Sequence, residues 1–94
     1  MNSIFSYKNN QTKNVAYKKV KRILTPEYLS QFKIKNEVSY HDESFLIKAV
    51  GKGFELMISF QEKTVEVKLQ LSLLYKPFQG KVYKIIKKEL EKVL

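Results

Sequence analysis

The sequence predicts a two-layer α+β domain in the order β-α-β-β-β-β-α, with an N-terminal kinked helix and a C-terminal helix on one face of an antiparallel sheet. Three observations carry this reading. Apolar residues recur at helical spacing towards each end of the chain, they alternate with period two through its middle, and short polar or glycine-bearing breaks cut that middle into strands. At 94 residues the chain has room for one core, so residues 1–94 form a single domain.

Each element follows from local chemistry. Ile4, Phe5 and Tyr7 mark a short first strand, and Asn9-Asn10-Gln11-Thr12 breaks it. Thr12 or Asn14 offers an N-cap for a helix whose apolar side carries Ala16, Val20, Ile23 and Leu24. Thr25-Pro26-Glu27 restarts that helix, since Thr caps, Pro suits the first turn and Glu suits the positive helix end. The helix, kinked or divided in two, is predicted to end near Phe32. From there Phe32, Ile34, Val38 and Tyr40 read as the first of four strands, closed by a turn at His41-Asp42-Glu43-Ser44. Phe45 to Val50 forms the next, apolar on both faces, and Gly51-Lys52-Gly53 turns the chain back. Phe54, Leu56, Ile58 and Phe60 line a further strand.

The strongest pattern comes last. Val65, Val67, Leu69, Leu71 and Leu73 alternate with Thr64, Glu66, Lys68, Gln70 and Ser72, which predicts a strand buried on one face and wet on the other. Pro77 then ends sheet pairing, because it lacks the donor a ladder needs. Phe78, Val82, Ile85, Ile86, Leu90 and Val93 fall on one side of the final helix, with Lys81, Lys84, Lys87 and Lys88 opposite.

The passage from Gly53 to Val82 resembles the closing segment of the polyhydroxyalkanoic acid system proteins, small bacterial proteins encoded near polyester-granule genes. Their pattern is a glycine-led strand, a turn, and an alternating strand that passes through Leu-Leu and Pro-Phe-x-Gly into a helix. Here Val65, Val67, Leu69, Leu73, Pro77, Phe78, Gly80 and Val82 occupy its positions. The likeness covers about the last 60 residues of the chain; the first 30 share element order only. Family members usually carry a His before the first helix, where this chain has Asn9-Asn10, and a Trp in the strand that here ends Val38-Ser39-Tyr40. The resemblance implies an accessory role in storage-granule metabolism and no particular reaction.

Charge gives a second line of evidence about partners. The net charge is +9, and it is uneven: residues 1–35 hold eight Lys or Arg against Glu27 alone, while residues 36–75 hold six acids against four lysines. Residues 76–94 hold six lysines against two acids. The positive field therefore sits on the helical segments and favours an anionic partner: a granule or lipid surface, an acidic protein, or nucleic acid. Lys18, Lys21 and Arg22 on the first helix, with Lys84 and Lys88 on the last, are the candidate anion-binding patch.

Enzyme chemistry finds little support. There is no Cys, which removes thiolate catalysis and cysteine-based metal sites, and the one His, His41, stands in a turn beside Asp42 and Glu43. That trio is a weak metal-binding set, and no cofactor is expected. Lys52-Gly53-Phe54 begins like an RNA-recognition strand, but Glu55 and Leu56 depart from it, and Phe54 shares parity with Ile58 and Phe60 in a core stripe. The outer sheet face carries Leu46, Val50 and Met57, a modest apolar patch suited to a weak homodimer if the chain is not monomeric. A gap between helices and sheet that holds a small apolar ligand is the remaining alternative. No stretch reads as a signal peptide or a transmembrane helix, so the expected compartment is the cytoplasm.

Overall fold

A computed structural model describes residues 2–7, 11–33 and 35–94. The chain runs β1 (Asn2–Ser6), α1 (Lys13–Ile23), α2 (Pro26–Leu29), β2 (Glu37–His41), β3 (Leu46–Gly51), β4 (Phe54–Phe60), β5 (Thr64–Leu71) and α3 (Gln79–Val93). Short 3₁₀ turns at Ser30–Phe32 and Lys76–Phe78 follow α2 and precede α3. The element order and the helix-over-sheet architecture are those the periodicity predicts.

Helix starts follow the capping chemistry. The Thr12 hydroxyl accepts from Val15 N at 3.2 Å, and the Thr25 hydroxyl accepts from Tyr28 N at 3.1 Å. Between them Leu24 leaves the helical region, so the N-terminal helix is two pieces rather than one bent rod. Its carbonyl is not orphaned, because Tyr40 Oη donates to it at 2.7 Å and so ties the break to β2.

The sheet is antiparallel throughout, in the order β1-β5-β4-β3-β2. Strands β2 to β5 form a meander, while β1 joins the far edge beside β5; α1 and α2 carry the chain across the sheet between those edges. Register places like with like: Val38, Ala49, Leu56 and Leu69 align across four strands, as do Tyr40, Ile47, Ile58 and Val67. A slip of one residue would turn these rows to water, so burial itself fixes the pairing. The space between the layers is filled by Val20, Leu24, Leu56, Ile58, Leu69, Ile86 and Leu90, none more than 1% exposed.

Gln11, just before α1, donates from Nε2 to the carbonyls of Val93 and Leu94 at 3.2 and 3.0 Å. The start of α1 therefore lies at the end of α3. Tyr17 completes the core edge with T-shaped contacts to Phe45 and Phe60 at 5.6 and 5.5 Å between ring centres.

Three boundaries differ from the sequence expectation. Strand β2 begins at Glu37 rather than Phe32: Lys33 takes a left-handed conformation (φ 56°) and turns the chain first. Ile34 and the Asn9-Asn10 break lie outside the described residues. Phe45 is a turn residue with φ 53°, not a strand residue, and this conformation aims its ring at Tyr17. Finally, β5 stops at Leu71. Ser72 N still donates to Gly53 O at 2.9 Å, but Tyr75 N then folds back onto Ser72 O at 2.9 Å and closes a turn. Leu73 is 89% exposed and Phe78 56% exposed, so neither takes the core position its spacing predicts.

Candidate anion-binding face

Helix α1 carries Lys13, Lys18, Lys19, Lys21 and Arg22 and no carboxylate; α3 carries Lys81, Lys84, Lys87, Lys88 and Lys92 against Glu89 and Glu91. Geometry sorts these cations into two sets. On α1, Lys13 reaches Glu62 at 3.7 Å and Lys21 reaches Asp42 at 2.9 Å. On α3, Lys87 pairs with Glu91 at 3.9 Å and Lys92 with Glu89 at 3.5 Å. Among the described residues Lys18, Lys19, Arg22, Lys81, Lys84 and Lys88 make no ion pair, and all six are exposed.

Helical spacing explains why these six share the solvent side. Ala16 and Val20, like Val82, Ile86 and Leu90, set the buried stripe on each helix. Lys18 and Arg22 then form one outward row on α1, and Lys84 and Lys88 another on α3, each with i, i+4 spacing. Helix α1 meets the end of α3: Lys19 and Arg22 share a groove of about 480 Å³ with Glu91 and Lys92. Lys18 and Arg22 on α1, and Lys84 and Lys88 on α3, are thus all exposed on the helical layer.

Lys21 belongs elsewhere. It and the Tyr17 hydroxyl both donate to Asp42 Oδ1, at 2.9 and 2.6 Å, and its ammonium lies 5.3 Å from the Tyr40 ring centre. These bonds hold the β2–β3 turn against α1. The Tyr17 bond first, then the Lys21 bond, lowers the Asp42 pKa below the ordinary carboxylate value. Burial, reinforced by Asp42, pushes the Tyr17 phenol well above its ordinary value. His41 projects from the other face of β2, with Nε2 3.2 Å from Ser39 Oγ, so the sequence neighbours His41 and Asp42 do not converge on one point.

The residues of the strand-to-helix pattern divide in two. Val65, Val67, Leu69 and Val82 are core. Leu73, Pro77, Phe78 and Gly80 are exposed, and a Cβ built on Gly80 would meet open space. On the outer sheet face Met57 pairs with Lys48 and Lys68, Val50 with Glu37 and Glu55, and Leu46 with His41 and Ser59. Charged and polar neighbours therefore break up that apolar patch. Phe54, only 2% exposed, lies in the core and offers no surface for base stacking.

Sequence reading missed three features. The Tyr17–Asp42–Lys21 cluster joins groups distant in sequence, and the Gln11 cap bridges the chain's two ends. The third had a local signal: Leu73 and Leu74 are consecutive, and a strand cannot turn both towards one face.

No family model matches this chain, and no curated protein or solved structure matches it.

Proposed function

We propose that this chain is a non-enzymatic binding protein that attaches to an anionic surface through the lysine-rich side of its helical layer. The observation that supports it most is the set of six exposed cations on α1 and α3 that have no carboxylate partner among the described residues. Random placement of lysines for solubility would scatter them over both layers, yet the sheet strands carry only Lys48 and Lys68, set among Glu37, Glu55 and Glu66. A one-sided field of this kind orients a small protein on a polyanion and accelerates encounter. The likeness of Val65–Val82 to polyhydroxyalkanoic acid system proteins supports an accessory role at a storage-granule or similar lipid-coated surface.

The test is a salt titration of binding to anionic and to neutral vesicles. Retention on anionic vesicles at low ionic strength, lost over roughly 50 to 500 mM salt as the Debye length shrinks, is the expected result. No preference for the anionic surface at low salt removes the proposal. Nucleic acid is the competing polyanion. With Phe54 buried, RNA binding by this chain would be of the phosphate type, equally salt-sensitive but indifferent to base.

A further inference from the structure

At one end of the sheet stand three of the large apolar side chains that are exposed among the described residues. Leu73 is 89% exposed, Leu74 75% and Phe78 56%, all within the turn that joins β5 to α3. Leucine side chains left this open at the tip of a turn add nothing to the core, and three large apolar groups so close together form a patch rather than isolated exposure.

This turn and two further loops come together here. A Cβ on Gly53 would come within 2.6 Å of Ser72 Oγ and 3.2 Å of the Tyr75 ring, so the β3–β4 turn abuts it. A Cβ on Gly51 would overlap the Lys35 carbonyl, which places the segment before β2 against that same turn. Phe78 and Tyr75 share a groove of about 340 Å³ with Phe32, Lys33 and Lys81, which brings in the end of the 3₁₀ turn and the first turn of α3. These loops contain Lys33, Lys35, Lys52, Lys76 and Lys81 and no acid at all across residues 30–36, 51–53 and 72–81. Glu27 and Glu55 sit on α2 and on the outer sheet face, and Glu37 opens β2 beside Lys35 and Lys52. The opposite end of the sheet instead carries Asp42, Glu43 and Glu62 in its turns.

An apolar tip ringed by lysines matches a lipid leaflet with anionic headgroups. Leucine and phenylalanine enter the acyl boundary while lysine stems extend along it and place their ammonium groups at the phosphates. We infer that the chain docks on anionic phospholipid membranes by inserting Leu73, Leu74 and Phe78, with Lys33, Lys35, Lys52, Lys76 and Lys81 as the headgroup-binding rim. This rests on the anionic-surface reading above and names the surface and the contact.

The sequence contains no Trp, so a Leu74→Trp substitution gives a fluorescent reporter without background. The variant is mixed with phosphatidylcholine vesicles with and without about a third phosphatidylglycerol, and the full-length Leu73→Ser/Leu74→Ser protein is sedimented with the same vesicles. The expected result is a blue shift of indole emission with anionic vesicles only, and a loss of affinity of about tenfold or more in the double Ser variant. Because both leucines are exposed, that variant should keep the wild-type circular dichroism spectrum and melting temperature. Vesicle binding with no blue shift, unchanged in the double Ser variant, overturns tip insertion and leaves helical-face binding standing. Binding to RNA or to an acidic peptide without binding to vesicles overturns the lipid assignment. Binding to no polyanion at low salt overturns both readings.

Discussion

Glycines and tyrosines show how differently single residues bear on this fold. Gly51 lies so close to the Lys35–Asn36 backbone that a Cβ cannot fit without displacing main chain, whereas Gly80 faces open space in the first turn of α3. Gly51→Ala should therefore destabilise by about 2 kcal/mol or more through enforced backbone movement, and Gly80→Ala should stabilise by up to about 1 kcal/mol through helix propensity. Urea denaturation of the two variants checks both signs. Tyr17 predicts a pH dependence at both extremes. The lowered Asp42 pKa means that its contribution is complete above the ordinary carboxylate value and is lost as pH falls through the folded value. The raised Tyr17 pKa means that its contribution is complete below about pH 10 and is lost as pH rises towards the folded value. Tyr7 adds to that alkaline loss, since burial, net of the bond it donates to the Gln61 carbonyl, holds its pKa at about 12. Tyr17→Phe removes one titrating phenol and the chief donor to Asp42, so its denaturation midpoint should vary less with pH than wild type on both limbs.

Strands and helices were legible in the sequence wherever one physical rule governed a whole segment. The alternation of β4 and β5, the threonine caps of α1 and α2 and the apolar stripe of α3 are each local patterns, and each appears where the pattern places it. The misses lie where a local pattern continued past the point at which tertiary structure stopped using it. Leu73 extends the parity of β5, but the return of Tyr75 onto Ser72 withdraws it from the sheet. Leu69→Ala, which empties a fully buried site, should destabilise by about 2 to 5 kcal/mol. Leu73→Ala, at a site 89% exposed, should change stability by no more than about 0.5 kcal/mol. Equal losses at the two positions would restore the longer strand. The candidate patch was legible in the same partial way. Helical spacing grouped Lys18 and Arg22, and Lys84 and Lys88, but only the fold shows that α1 meets the end of α3. Nothing in the sequence around Lys21 indicates that Asp42, from a distant turn, occupies it.

Taken together, the layers divide their chemistry. The sheet supplies most of the core and a mixed-charge outer face; the helices supply the remaining core and half of the cations that make no ion pair among the described residues. This division makes the molecule polar across its thickness, and the lysine-rimmed turn at Leu73–Phe78 makes it polar along its length. The first favours a side-on approach by the helices and the second an end-on approach by the tip, two contacts that separate variants distinguish. Because the four exposed cations Lys18, Arg22, Lys84 and Lys88 make no ion pairs among the described residues, reversing them should leave the fold intact. The most direct measurement is co-sedimentation of wild type and the Lys18→Glu/Arg22→Glu/Lys84→Glu/Lys88→Glu variant with anionic vesicles at low salt. The predicted result is binding by wild type and a loss of about a hundredfold or more in the variant, at roughly 1 kcal/mol per basic residue near the surface. A folded quadruple variant that binds as tightly as wild type would contradict the assignment of this face.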